Sequence, residues 1–245
     1  VPGVLVFSPP PVDDPLPTKA SQLSDRTEAA QFVETLTGFR AETGKSAAMV
    51  NGHVGVFDGT SYEGVSRVLG GNAGKGPSGT PDAGGFTGWT MLGVNPGAGV
   101  VGSSPEVVAD RIRWMQAETK PRVESVTLQA PSVMEVGETA AVSASLMQDG
   151  ARVVPVTWPV SAEWGGEGVD VVGASGVDAT ARGLTSGLEA AAAGALRVNP
   201  ATGEVTAVAP GEASLSVTVN GVTETVAVSV VGEEPGEPEE PGEGS

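Results

Sequence analysis

The 245-residue chain has no cysteine. Disulfides, thiolate metal sites and cysteine nucleophiles are therefore excluded. It has one histidine, His53, so no site needing several imidazoles can be built from this chain alone. Aromatic residues are scarce, at 4%, while glycine (36) and proline (19) are abundant. That balance favours short strands and many turns over long helices. No apolar run approaches the roughly 20 residues of a membrane span. Basic residues are also few: 13 Lys and Arg stand against 30 Asp and Glu, for a net charge of −17. An acidic chain without basic clusters is a poor partner for nucleic acid or an anionic membrane surface.

Hydrophobic residues make up 39%, enough for a packed core. A mass of 24.4 kDa leaves room for two modest domains. The charge is unevenly spread. Residues 1–122 carry 12 acids and 10 bases, whereas residues 123–245 carry 18 acids and 3 bases. The break marks a change of domain. The chain opens Val1-Pro2-Gly3-Val4-Leu5-Val6-Phe7, a core-strand pattern with no lead-in and no signal peptide, and reads as a cut start.

A first strand is expected over residues 4–7, stopped by Ser8-Pro9-Pro10-Pro11. A helix should follow, with Ser24 as N-cap and Glu28 in the first turn. Ala29, Phe32, Val33, Leu36 and then Phe39 or Arg40 repeat at helical spacing, and Gly44 is its stop. Residues 47–50 make the second strand, and residues 65–69 another. A glycine-rich stretch spans 70–85, and 86–94 again reads as a strand. Residues 105–122 predict a short helix and then a strand near 111–118. Strand, helix, strand is an α/β order.

From residue 123 the texture is all-β: short alternating runs separated by turn signals. Asn220-Gly221 between two such runs is a strong hairpin signal. Trp158 is placed as the large ring of a sandwich core. Residues 183–194 look like an insertion, and residues 232–245 form an acidic Pro/Gly linker.

Two resemblances are carried by these residues. Val126-Thr127-Leu128, Val136-Gly137-Glu138-Thr139, Trp158 and above all "VNPATGEVTAVAPGEASLSVTVNGV" at 198–222 resemble the bacterial immunoglobulin-like group 2 domain. The match spans about 123–231 and implies an immunoglobulin-like sandwich in a secreted or bacterial cell-surface protein. Residues 3–120 are similar to the C-terminal part of a calcineurin-like metallophosphoesterase. That similarity rests on "VLVFSPPPVDDPLPTKASQLSDRTEA", "NGHVGVFDG" and the run "GGNAGKGP" with "GGFTGW". Gly52-His53-Val54-Gly55 matches the first half of the family's Gly-His-x-His motif, with Gly55 in the second histidine position. The resemblance implies phosphodiesterase (hydrolase) ancestry and a divalent metal (Mn, Fe, Zn or Ca) in the full-length parent. It makes His53 and the adjacent Asn51 candidate metal ligands, and Asn72 and Lys75 candidate substrate contacts. The family's N-terminal metal motifs have no counterpart, so a missing N-terminal segment is an implied partner.

Two-metal phosphoester hydrolysis needs ions about 3.5–4 Å apart, each with several nitrogen and oxygen ligands. The inventory offers His53, Asn51, Asn72, Asp13, Asp14 and Asp58. Asp13 and Asp14 follow one strand and His53 follows its neighbour, so the two loops could converge on one sheet edge. The bland alternative is a histidine packed at a strand end and two aspartates shaping a turn. The run at 70–79 lacks the spacing of a nucleotide-binding loop, because Gly70 and Gly74-Lys75 are too close. No Gly-x-Ser-x-Gly elbow is present for a serine triad. Trp89 and Trp164 offer a sugar-stacking face, with core packing as the plainer use of both rings.

Two functional expectations follow. The first is the rear of an exported metallophosphoesterase-like protein with an immunoglobulin-like spacer, inactive as this fragment. The second is a non-catalytic cell-surface module for adhesion or glycan binding. A phosphoester or a cell-surface glycan is the corresponding ligand.

Overall fold

The computed structural model describes residues 3–95, 114–172 and 194–232. Strands dominate, and α1 is the one α-helix among the described residues. The expected helix at 105, most of the insertion at 183–194 and the acidic tail lie outside the described residues.

β1 (Gly3–Ser8), α1 (Arg26–Thr43) and β2 (Ser46–Asn51) form a parallel crossover, in register from Gly3 opposite Ser46 to Ser8 opposite Asn51. The helix starts one residue later than Ser24 implies. Asp25 is the N-cap, and its carboxylate accepts from the backbone N of Thr27 (2.8 Å) and Glu28 (3.0 Å). Gly44 ends it with φ 64°, a left-handed turn that suits glycine. The expected stripe packs as read: Ala29, Phe32, Val33, Leu36 and Phe39 meet Val4, Val6, Ala47, Met49 and Val65.

β3 (Asp58–Tyr62) and β4 (Val65–Leu69) complete a sheet of order β1-β2-β4-β3, with β4 parallel to β2 and β3 antiparallel to β4. The β3 to β4 turn is Glu63-Gly64, both at positive φ (47° and 82°), the two-residue geometry that suits the twist of a hairpin. Among the described residues β1 is an edge strand, and its Phe7 is 67% exposed. β5 (Gly88–Val94) pairs, among the described residues, only with β6 (Met115–Pro121), in an antiparallel ribbon. The expected strand at 86–94 therefore begins at Gly88, and the one near 111–118 is described from Met115 to Pro121.

The second region is an all-β sandwich. β7 (Ser125–Gln129), β10 (Ser143–Gln148) and β11 (Arg152–Pro155) form one sheet, in the order β11-β10-β7. β8 (Val133–Glu135), β12 (Glu163–Gly165), β16 (Gly211–Val219) and β17 (Val222–Val231) form another, in the order β12-β16-β17-β8. β9 (Thr139–Ala141), β13 (Val169–Val171), β14 (Leu196–Asn199) and β15 (Glu204–Ala207) form the third. Alternation decides which face is buried. On β16, Ala213, Leu215, Val217 and Val219 point inward while Ser214, Ser216 and Thr218 stay partly exposed. The Asn220-Gly221 turn has φ 46° and 86° and joins β16 to β17 as expected. Trp158 corrects the sequence reading: it is 68% exposed, and its ring lies over Gly59 of β3 instead of inside the sandwich. A Cβ on Gly59 would come within 2.7 Å of that ring. Trp164 packs against the sandwich core in its place.

Candidate functional site

Parallel strands place their carboxyl ends on one edge, where open α/β sheets bind ligands. Here that edge joins Ser8-Pro9-Pro10 after β1, Asn51-Gly52-His53 after β2 and Gly70-Gly71-Asn72 after β4. Hydrogen bonds tie the three together. The backbone N of Gly52 donates to the Pro9 carbonyl (3.1 Å), and that of Gly70 donates to the Asn51 carbonyl (2.9 Å). The Ser8 hydroxyl donates to the Pro10 carbonyl (2.7 Å).

Asn51 is the buried polar residue of this edge, at 5% exposure. Its Nδ2 donates to the Ser8 carbonyl (3.2 Å) and lies 3.5 Å from that of Pro10. Its Oδ1 is buried and has no partner among the described residues. A buried acceptor without a donor is costly, and it is the unsatisfied group at this edge. His53 sits two residues on, exposed, with φ 69°. The left-handed backbone turns its ring outward while Val54, Val56 and Phe57 go inward.

The loop after β4 folds back on the segment after His53. Asn72 Nδ2 donates to the carbonyls of Gly55 (3.4 Å) and Gly76 (3.3 Å), so its amide closes its own loop. The backbone N of Ser78 donates to the Gly55 carbonyl (3.0 Å), and that of Phe57 to the Gly84 carbonyl (2.9 Å). Phe57 and Phe86 stack at 4.6 Å between centroids, 15° from parallel. Lys75 stands exposed on this loop.

The aspartates do not converge on His53. The Asp14 side chain is buried and accepts from the backbone N of Leu16 (2.8 Å) and Ser21 (3.0 Å), so it builds its own loop. Asp13 pairs with Lys19 at 3.6 Å. Asp58 pairs with buried Arg67, whose Nη1 also donates to the Asp13 carbonyl. The Arg67 guanidinium lies 5.6 Å from the Tyr62 ring centroid. Burial raises the Tyr62 phenol above its ordinary 10.0, with Arg67 pulling it back down.

Among the described residues, no three His, Asp or Glu side chains lie together as a metal-binding group. The edge offers one exposed imidazole and one buried amide oxygen. Those donors do not fit a pair of divalent ions, each of which needs several ligands. Asn51 and His53 do share the carboxyl edge, and Asn72 reaches it through Gly55. Among the described residues, Lys75 makes no hydrogen bond or ion pair that draws it in.

What sequence reading missed is the part played by Gln148. It occupies an inward position of β10 and reaches across to the first region (Thr87 and Arg122). The visible signal was a glutamine in step with Ala144 and Leu146 in an alternating strand. Neither a protein-family model nor a curated protein matches the chain.

Proposed function

We propose that residues 1–122 are the rear of a calcineurin-like metallophosphoesterase domain and that residues 123–231 are a bacterial immunoglobulin-like group 2 domain. In this reading the parent is an exported protein, secreted or held at the bacterial cell surface, and this chain does not hydrolyse phosphoesters by itself. The donor count at the sheet edge carries the reading: His53 is exposed, Asn51 offers one unpartnered oxygen, and both neighbouring aspartates face their own loop or Lys19. The β-α-β crossover with His53 just past β2 supports the ancestry. A phosphodiesterase assay with added manganese tests it, comparing the chain with His53→Ala. Equal background rates are expected. A manganese-dependent rate that His53→Ala abolishes would overturn the proposal. Fractionation of cells making the parent checks export, and recovery only from cytoplasm counts against it.

The partner expected for the first region is a further segment of the same protein. Among the described residues β1 pairs on one side only and its Phe7 is exposed, which supports it, because an unpaired edge invites another strand. Sedimentation at rising concentration is the check. Association weakened by Phe7→Lys supports an open edge, and identical monomers for both forms count against it.

A surface glycan-binding role is the second reading. Trp89 favours it, 47% exposed on β5 opposite Lys120 and next to the Lys120–Glu118 ion pair (2.8 Å). A flat ring beside polar groups suits sugar stacking. Trp164 does not contribute, since it packs on the core. Glycan-array binding lost in Trp89→Ala would select this reading. An array with no signal from either form would remove it.

A further inference from the structure

The glycine-rich segment 70–88 is poorly equipped to hold itself in place. Glycine loses more conformational freedom on ordering than any other residue, so such a segment needs external contacts. The first region supplies some of them, through Asn51, Gly55 and Phe57, and the sandwich supplies others at Gly85 and Thr87.

Gln148, the last residue of β10, is fully buried, at 0% exposure. Its Nε2 donates to the carbonyls of Thr87 (2.8 Å) and Arg122 (2.6 Å), and its Oε1 accepts from the backbone N of Thr87 (3.0 Å). The side-chain amide therefore mimics one rung of a β-ladder across the junction. Thr87 in turn bridges Asn72, and the backbone N of Gly88 donates to the Asn72 carbonyl (2.9 Å). Arg152 of β11 adds a bond from Nη1 to the Gly85 carbonyl (2.7 Å). Between these ties, Phe86 is buried and stacks on Phe57 within the same apolar cluster as the sandwich core. The Phe57 ring also closes on Gly71, where a Cβ would collide with it.

We infer that the sandwich is a positioning element for the segments 53–57 and 70–88, with Gln148 clamping Thr87, whose carbonyl the backbone N of Arg122 also holds (2.8 Å), and through it Asn72. The sandwich is then no detachable spacer. The order of the loop bearing Asn72 depends on a side chain from the other region. This inference does not rest on the phosphoester reading, because it concerns only what holds the loop.

Amide hydrogen exchange on the full chain, followed by NMR, tests it in Gln148→Ala. The backbone amides of Phe57 and Gly88 should exchange about tenfold faster or more, as expected when buried hydrogen bonds are lost locally. Amides in the middle of β16 and β17 should stay within about twofold of the parent, because global stability is retained. Unchanged exchange at Phe57 and Gly88 would overturn the inference. So would an equal acceleration in β16 and β17, which would reveal general destabilisation instead of a local clamp. Should Gln148→Ala fail to fold, Gln148→Met decides in the same way. It keeps most of the volume and removes the three bonds, and about tenfold faster exchange at Gly88 is expected, against no change if the clamp is absent.

Discussion

Both regions have apolar cores, and they differ in the polar groups they bury. The first hides Asp14, Asn51 and Arg67, each hydrogen-bonded to backbone carbonyls or amides of a loop. The sandwich hides Leu196, Val205, Leu215, Val217 and Val228, and its one fully buried polar side chain among the described residues, Gln148, points back at the first region. The cause is how the backbone is satisfied. Antiparallel hairpins pair their own amides and carbonyls along a ladder, so apolar side chains can fill the interior. Loops after parallel strands have no ladder, and polar side chains must take its place. The first region should therefore be sensitive to single polar groups, and the sandwich to lost volume.

The largest effect should come from the sandwich. Leu215→Ala removes a fully buried side chain and should cost about 3–4 kcal/mol in urea unfolding of the full chain. A loss below about 1 kcal/mol would mean the core there collapses to fill the gap, and the contrast fails. In the first region, Arg67→Met keeps most of the volume but strands the Asp58 carboxylate and the Asp13 carbonyl. A loss of about 2–3 kcal/mol is expected, discounted because Asp58 keeps some exposure. A neutral or stabilising result would show that packing governs this region too.

Asp25→Ala should cost about 1 kcal/mol, the usual value of a helix cap, read in the same unfolding experiment. Ser24→Ala should leave stability within about 0.5 kcal/mol, as at a surface site without a special role. The smallest effect is a titration. Tyr62 is the chain's single tyrosine, so phenolate absorbance reports it alone. Burial raises its folded value above 10.0. Its contribution to stability is therefore fully present below the unfolded value and is lost as pH rises through the folded one. Tyr62→Phe should remove that alkaline loss. Arg67→Met should raise the phenol further, since a nearby cation favours the phenolate. A drop in Arg67→Met would mean that loosened packing re-exposes the ring.

Where the physics is local, the sequence was readable. The α1 stripe, its Gly44 stop, β2, β4 and the Asn220-Gly221 hairpin all come from side-chain period and from backbone angles that glycine and asparagine tolerate. β3 was not expected, because Asp58-Gly59-Thr60-Ser61 lacks the apolar and β-branched alternation of a strand. The turn at Glu63-Gly64 was its one cue. Ser24 and Asp25 are both good caps, and a one-residue choice between them depends on where the chain enters from the loop. Trp158 was misplaced because a large ring is usually core, whereas here it lies over Gly59 of the other region.

The site divides in the same way. That His53 and Asn51 end a strand is written in the pattern of residues 47–53, and so is the want of further imidazoles and thiols anywhere in the chain. Whether Asp13 and Asp14 would face His53 was settled by loop hydrogen bonds to Leu16, Ser21 and Lys19, which no spacing rule encodes. Folding likewise decided that a glutamine of the sandwich would hold the Asn72 loop. Periodicity reports what each strand shows to its own neighbours, while the partner of a buried amide is chosen only when distant segments are brought within hydrogen-bonding distance.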